Sequence, residues 1–168
     1  MAINNLEDLF VHELEQMYYI ETRLVDVLGD FVEEANNETL ASGFAEHRDE
    51  TRTHAERIEQ VFDALGREVT EEQSHVLDAL VEEHDSFVEE STDEQLHDLY
   101  DMQAGMKTER IEITAYQGLL TLAGKLDYPD AVTDPLEDTL SEEKSTLRKL
   151  EGLSKGSKIK SMIGKLTG

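Results

Sequence analysis

The stretch that decides the fold is residues 99–123, LYDMQAGMKTERIEITAYQGLLTLA. Its apolar residues recur at alternating spacings of three and four, which predicts a long helix with one side in a core. These residues are Leu99, Met102, Met106, Ile113, Tyr116, Leu120 and Ala123. Glu109 takes the core position between Met106 and Ile113, and Glu112 flanks it one turn along. Because a carboxylate in a core must be paired, protonated or metal-bound, we expect other helices to supply its partners.

Three further stretches show the same helical register, and each has polar residues at core positions. These are Glu21 within residues 3–35, then His47, Thr51 and His54 (with Glu50 beside them) within residues 38–65, and Glu143 in the last helix. Asn36 and Asn37 separate the first two of these helices, and the segment from Leu126 to Pro129 precedes the last. The chain is therefore predicted to contain four long helices that share one polar layer.

A shorter helix is predicted over residues 71–90, because residues 70–73, TEEQ, match a capping box. Pro135 predicts that the last helix is kinked early or restarts near that residue. No stretch alternates with a period of two, so no sheet is expected. Two long helical hairpins joined by a crossover with a short helix form an all-α, ferritin-like four-helix bundle, here predicted for residues 1–152.

The composition is strongly acidic, with 15 Lys and Arg against 39 Asp and Glu and a formal net charge of −24. Such a surface repels phosphates, so no nucleic acid partner is expected, and it is typical of a halophilic protein. The absence of cysteine excludes disulfides and thiol chemistry. No apolar run has the length of a membrane span, and the start of the chain lacks a basic and apolar leader, which predicts a soluble, cytoplasmic protein.

Helix depth indicates that the polar core positions converge. If the first hairpin turns near residue 36, Glu21 lies level with Thr51, between His47 and His54. If the second turns near residue 128, Glu112 and Glu143 are neighbours and Glu109 lies about one turn away. Carboxylates with imidazole suit iron, manganese or zinc, and two facing half-sites would form a dimetal centre. In the alternative interpretation these acids are paired or protonated, and the chain is a non-enzymatic helical module for interaction or oligomer formation.

The candidate ligands differ in their positions. Glu21, Glu109 and Glu143 lie in the core register, whereas Glu50 and Glu112 flank it. His54 shares a face with Glu50 and is the better imidazole candidate, while His47 could instead be a hydrogen-bonded core histidine, and Thr51 is expected to be a hydrogen-bond partner. No acids are expected at the depths of the remaining histidines, which are interpreted as surface or packing residues: His12, His75, His84 and His97.

Four blocks of the sequence together resemble the YciE/YciF-type ferritin-like family over about residues 3–152. They are LEDLFVHELEQMYYIETRL, EHRDETRTHAERIEQVF, MKTERIEITAYQ and LEDTLSEEKSTLRKL. The resemblance implies a ferritin-like fold, a dinuclear metal motif and a link to stress response. By position it implies metal-site roles for Glu21, His47, Glu50, Glu109, Glu112 and Glu143.

The chain departs from that pattern at three positions. Arg110 stands where the family commonly has His, and His54 stands where it often has Gln. Thr146 follows Glu143 by three residues, where ferritins have the His of a Glu-x-x-His motif. The second metal position is therefore expected to be poorer in nitrogen ligands.

These observations predict a dimetal protein that oxidises Fe(II) or consumes peroxide or oxygen under stress. Its cofactors would be two divalent ions, with iron favoured over manganese or zinc. Tyr18, Tyr19 and Tyr116 lie near the candidate ligands and are expected to pack, with electron relay as the alternative. A homodimer or larger homo-oligomer is expected. Residues 153–168 are Lys-rich and predicted to be a flexible end or a short amphipathic helix, with membrane contact not expected.

Overall fold

The computed structural model describes residues 3–155, except the side chains of residues 94, 95 and 155. This part of the chain forms five helices and no strand: α1 (Leu6–Glu34), α2 (Glu38–Ala64), α3 (His75–Glu90), α4 (Glu94–Lys125) and α5 (Asp130–Lys155). Helix α1 packs along α2 and helix α4 along α5, and the contacts of α2 with α5 and of α1 with α4 close the bundle. Helix α3 lies in the crossover and contacts α4. The predicted all-α architecture of two hairpins is confirmed.

The apolar core runs along the inner faces of all four long helices. Its members that are no more than 1% exposed include Phe10, Leu14 and Met17 of α1, Ile58, Val61 and Phe62 of α2, Tyr116, Leu119 and Ala123 of α4, and Val132 and Leu136 of α5. Burial of a large apolar side chain stabilises the fold by roughly 1.5–3 kcal/mol relative to exposure. This core holds the helix axes, and therefore the polar layer between them, in place.

Two of the helices end in the same left-handed turn. Gly66 follows α2 with φ 65°, and Arg67 N–H donates to Phe62 O at 2.9 Å. Asp127 follows α4 with φ 51°, and Tyr128 N–H donates to Ala123 O at 3.1 Å. A residue in this conformation satisfies the last carbonyl groups of a helix, and glycine adopts it without the steric cost of a Cβ atom.

Asn37 begins α2 by capping its first turn. Its side-chain oxygen accepts hydrogen bonds from Thr39 N–H at 2.9 Å and Leu40 N–H at 3.2 Å. Asn37→Ala is therefore expected to lower the free energy of unfolding by about 1 kcal/mol, measured by urea denaturation. Asn37→Ser, which retains a capping oxygen, should recover most of the loss, and equal destabilisation by both substitutions would contradict the capping role.

Two details of the helix boundaries differ from the sequence-based expectation. Helix α3 begins at His75, because the Ser74 side chain caps it by accepting from Leu77 N–H, while the hydroxyl of Thr70 donates to Glu15 instead. Helix α5 begins at Asp130 and passes through Pro135 without restarting. Pro135 lies near the start of α5, where the loss of one backbone donor is tolerated more readily than in a helix interior.

Helix α5 includes residues 153–155 of the predicted C-terminal tail. Residues 156–168 lie outside the described residues, so the prediction for the tail and its boundary stays a prediction. Among the described residues, no helix combines the length and apolar character that crossing a membrane requires.

Candidate metal centre

Six of the seven predicted ligands meet in the interior of the bundle. The carboxylates of Glu21, Glu109, Glu112 and Glu143 are each at most 1% exposed. The imidazoles are buried too, His54 completely and His47 with 8% exposure. Four helices thus bring four carboxylates and two imidazoles into one water-poor layer, as the helix depths predicted.

The first group of side chains consists of His47, Glu109, Glu112 and Glu143. Each offers one ligand atom that lies within 4.8 Å of the others, a spacing that could hold a metal ion. The shortest contact joins His47 Nε2 and Glu109 Oε1 at 2.9 Å. The hydroxyl of Thr51 donates to the backbone oxygen of His47 at 2.9 Å, which confirms that Thr51 is a hydrogen-bond partner.

The second group consists of Glu21, His54 and Glu143, again within 4.8 Å of one another. His54 Nδ1 lies 2.8 Å from Glu143 Oε1 and 3.5 Å from Glu21 Oε2. Glu143 belongs to both groups, so its carboxylate could contribute a ligand atom to each. The two histidines that the sequence left as alternatives are both present, one in each group.

The polar atoms of this layer are poorly satisfied by the protein itself. Apart from the contact between His54 Nδ1 and Glu143 Oε1, six buried side-chain atoms of these residues have no hydrogen-bond partner: Glu21 Oε2, His47 Nδ1, Glu109 Oε2, both carboxylate oxygens of Glu112 and Glu143 Oε2. Most buried polar groups in proteins have at least one partner, because losing water without compensation is costly. So many unpaired atoms in one place are unusual for a protein interior, and their carboxylate and imidazole groups are of the kind that could hold a metal ion.

The pKa values of the buried carboxyl groups also show that the loss of water around their negative charges is not fully compensated. Burial raises the pKa of Glu109 to about 8 and the pKa of Glu112 well above its usual value, where the charges of Glu143 and Glu21 add to the effect. Burial also raises the pKa of Glu21. For Glu143 burial acts in the same direction, but the imidazole of His54 outweighs it and the pKa is lowered. Divalent ions would replace protons at these groups.

Burial alone lowers the pKa of an imidazole, but at both histidines the neighbouring carboxylates outweigh burial and the pKa is raised. Burial disfavours the charge of His47, but the hydrogen bond and charge of Glu109 prevail and raise its pKa to about 10. Burial likewise disfavours the charge of His54, but Glu143 and Glu21 raise its pKa to about 11. Without metal, the two protonated imidazoles compensate part of the buried negative charge.

A second layer of side chains orients the second group. His54 Nε2 lies 2.9 Å from Glu142 Oε2, and the same carboxylate accepts two hydrogen bonds from Arg57 at 2.6 Å and 3.0 Å. With Nε2 held by Glu142, Nδ1 of His54 is directed at Glu21 and Glu143, as in the carboxylate–histidine pairs that support protein metal sites. The Tyr116 hydroxyl donates to Glu21 Oε1 at 2.5 Å and is fully buried. Sequence reasoning missed Glu142 and Arg57, whose only signal was that Arg57 follows His54 by three residues on the same helix.

Glu142→Ala is expected to weaken metal binding at the second group by roughly 10- to 100-fold, because it removes the acceptor that orients His54. Binding at the first group should change little, since His47 does not contact Glu142. Isothermal titration calorimetry with Mn(II) would separate the two sites. Glu137→Ala, an exposed residue of the same helix, is the matched control. If the affinity of the second group for Mn(II) is unchanged in Glu142→Ala, the role of Glu142 in orienting His54 is contradicted.

The two candidate ligands that were predicted to flank the core lie at different depths. Glu112 does not flank the core but is fully buried within it, while Ile113 is only half-buried. Glu50 lies at the margin: its Oε2 is 3.8 Å from His47 Nδ1 and accepts from the Thr146 hydroxyl at 3.4 Å, while its Oε1 is 3.9 Å from Lys149 Nζ. Glu50 therefore belongs to neither group in this arrangement.

The expectation that the other histidines have no acids at their depth was wrong for two of them. His84 is buried, and its Nε2 lies 2.7 Å from Asp101 Oδ1, an ion pair that links α3 to α4. His12 lies within reach of Glu15 and Glu72 near the surface. The contact of His84 depends on where α3 packs, and the helical register of the four long helices does not determine that position.

The comparisons with known proteins agree with this architecture. The family described as "Domain of unknown function (DUF892)" matches residues 5–162. Protein YciF of Escherichia coli is 32% identical over 155 residues, which cover 92% of this chain and 93% of that protein.

Two solved structures are similar. The protein titled YcfI from Rhodopseudomonas palustris is 32% identical, with a TM-score of 0.86 over 90% of this chain and 96% of that chain. The E. coli stress protein YciF is 31% identical, with a TM-score of 0.84 and the same coverage. The chain therefore belongs to the DUF892 family of YciF-type proteins with a ferritin-like fold.

Proposed function

We propose that this protein holds two divalent metal ions, iron by preference, between the four long helices. The observation that carries the proposal is the convergence of four buried carboxylates and two buried imidazoles, with six unpaired ligand atoms, on two groups that share Glu143. The charges also match: four buried carboxylates contribute −4 and two divalent ions +4, so the layer is neutral when both imidazoles are uncharged. Carboxylate with imidazole is a donor set that suits iron, manganese and zinc.

The activity that fits this centre is oxidation of Fe(II), or consumption of peroxide or oxygen, during stress. The similar E. coli protein is titled a stress protein, which supports this context. A bound iron pair would supply the two electrons that reduce oxygen to peroxide or peroxide to water. The surrounding residues hold the ligands in place: Glu142 and Arg57 orient His54, and the Tyr116 hydroxyl holds Glu21 by the hydrogen bond that it donates. These contacts fix the donor atoms before any ion arrives.

Anaerobic titration of the metal-free protein with Fe(II) tests the proposal. We expect two ions per chain, one for each group, and faster oxidation of bound than of free Fe(II) when oxygen or hydrogen peroxide is added. Parallel assays with each oxidant would identify the preferred one. Binding of fewer than roughly one ion per chain, of iron or of manganese, would favour the alternative of a non-enzymatic helical interaction module.

We also propose that the protein is cytoplasmic and assembles as a homodimer or larger homo-oligomer. The interface would include the crossover helix, where Val76 is 59% accessible. Analytical ultracentrifugation at high and low salt would test the assembly, since a net charge of −24 disfavours association when it is unscreened.

A further inference from the structure

A cavity of about 870 Å³ lies beside the candidate metal centre and is lined by residues from all five helices. It occupies the part of the bundle where α1 ends and α2 begins. Its size falls in the range of cavities that bind small organic molecules, roughly 300–1,000 Å³. The proposed metal chemistry does not require a cavity of this size.

The inner end of the cavity is polar and belongs to only one of the two residue groups. His47, Glu109 and Glu112 line it, whereas Glu21, His54 and Glu143 do not. Four of the unpaired buried atoms belong to these lining residues: His47 Nδ1, Glu109 Oε2 and both oxygens of Glu112. A molecule that ends in a hydroxyl group can both donate and accept there. The inner end therefore suits an oxygen-bearing group.

The lining of the cavity also includes buried apolar side chains. They come from four different helices: Leu28 and Phe31, Leu40 and Phe44, Leu77, and Leu150. Transfer of a hydrocarbon chain from water to such walls contributes about 0.8 kcal/mol for each CH₂ group. The walls thus suit an aliphatic chain.

The rim of the cavity carries mostly negative charge. Its exposed acids are Asp30, Glu34, Glu38, Glu46 and Asp85, against Arg23 and Lys149. Lys149 Nζ also lies within 4 Å of Glu46 and Glu50, which offsets its charge. An anionic amphiphile such as a fatty carboxylate is repelled by this rim, whereas an uncharged molecule is not.

We propose that the cavity binds an uncharged, hydrocarbon-rich small molecule whose oxygen-bearing end lies beside His47, Glu109 and Glu112. A long-chain alcohol has this chemistry. The inference goes beyond the proposed metal chemistry, and because His47, Glu109 and Glu112 also belong to the first proposed ion site, its test uses the metal-free protein.

Binding of the fluorescent, uncharged probe N-phenyl-naphthylamine to the full-length, metal-free protein tests the inference. We expect enhanced probe fluorescence that decanol reverses, with decanoate needing roughly tenfold higher concentration for the same displacement. The two competitors have equal chain length, so their difference reports the charge preference. Absence of probe uptake, or equal displacement by both competitors, would overturn the proposal.

Variants that narrow the cavity locate the bound probe. Gly43 and Ala104 line it on opposite helices, α2 and α4, and an added Cβ atom at Gly43 meets nothing within 4 Å. Gly43→Leu and Ala104→Leu are each expected to weaken probe binding by roughly tenfold. Gly118→Leu is the matched control, because Gly118 also has open space around it and does not line the cavity. Unchanged affinity in both narrowing variants would show that the probe binds elsewhere.

Discussion

Glu143→Gln is expected to abolish binding of both metal ions, although it alters only one side chain. Glu143 is the one residue common to the two groups, and its carboxylate lies within 4.8 Å of ligand atoms of each. Glutamine preserves the volume but removes the charge, which leaves each position short of an anionic ligand. At a metal concentration about 100 times the dissociation constant, each site contributes about 2.7 kcal/mol to stability. The wild-type protein should therefore gain roughly 5 kcal/mol on loading, and the variant almost none.

Metal content by mass spectrometry and thermal unfolding with and without Mn(II) would measure both effects. Glu137→Gln, the same substitution at an exposed position of α5, should bind and respond like the wild type. Loss of only one ion in Glu143→Gln would contradict a bridging role while leaving the remaining group intact. Retention of both ions would show that the metal site lies elsewhere.

The bundle itself could be predicted from the sequence because the apolar register repeats on every long helix. The depths within each hairpin could be predicted as well, since a turn and a constant rise per residue place Glu21 between His47 and His54 and make Glu112 a neighbour of Glu143. Glu112 shows where this reasoning ends. It neighbours Ile113, and a rule that assigns apolar residues to the core selects the isoleucine, although the structure buries the glutamate. A core that buries several carboxylates does not follow the hydrophobic pattern.

The supporting contacts could not be predicted for a different reason. Glu142 lies next to Glu143 in a chain with 39 acidic residues, so neither its residue type nor its place in the sequence marks it as a supporting residue. Its role depends on the rotation of α5 against α2, which places it on His54 and Arg57. The ion pair of His84 and Asp101 depends in the same way on where α3 packs. Such contacts between helices are set by side-chain packing and are absent from the periodicity of any one helix.

The metal-free protein is expected to lose stability as the pH rises from about 6.5 to 8.5, opposite to the behaviour of a protein stabilised by ordinary surface carboxylates. His47 and His54 have folded-state pKa values of about 10 and about 11, above the unfolded value of 6.5. The folded state thus retains protons that the unfolded chain releases above pH 6.5, and the stability they contribute is lost as the pH rises toward 10. Glu109, whose folded-state pKa is raised from 4.5 to about 8, also retains a proton that the unfolded chain releases above pH 4.5. Its contribution to stability is therefore lost as the pH rises toward 8. For each proton that the folded state retains and the unfolded chain has released, the free energy of unfolding falls by about 1.4 kcal/mol per pH unit.

Urea unfolding at constant, high ionic strength would measure this slope, because salt screens the surface repulsion. Metal loading should flatten or reverse the slope, since ions replace the retained protons and bind more tightly as the pH rises. His54→Gln removes one retained proton and should reduce the slope of the metal-free protein, whereas His75→Gln, at an exposed position of α3, should not. A metal-free protein that becomes more stable over this range would show that the buried imidazoles are neutral, and the layer would then lack the cationic compensation that its carboxylates require.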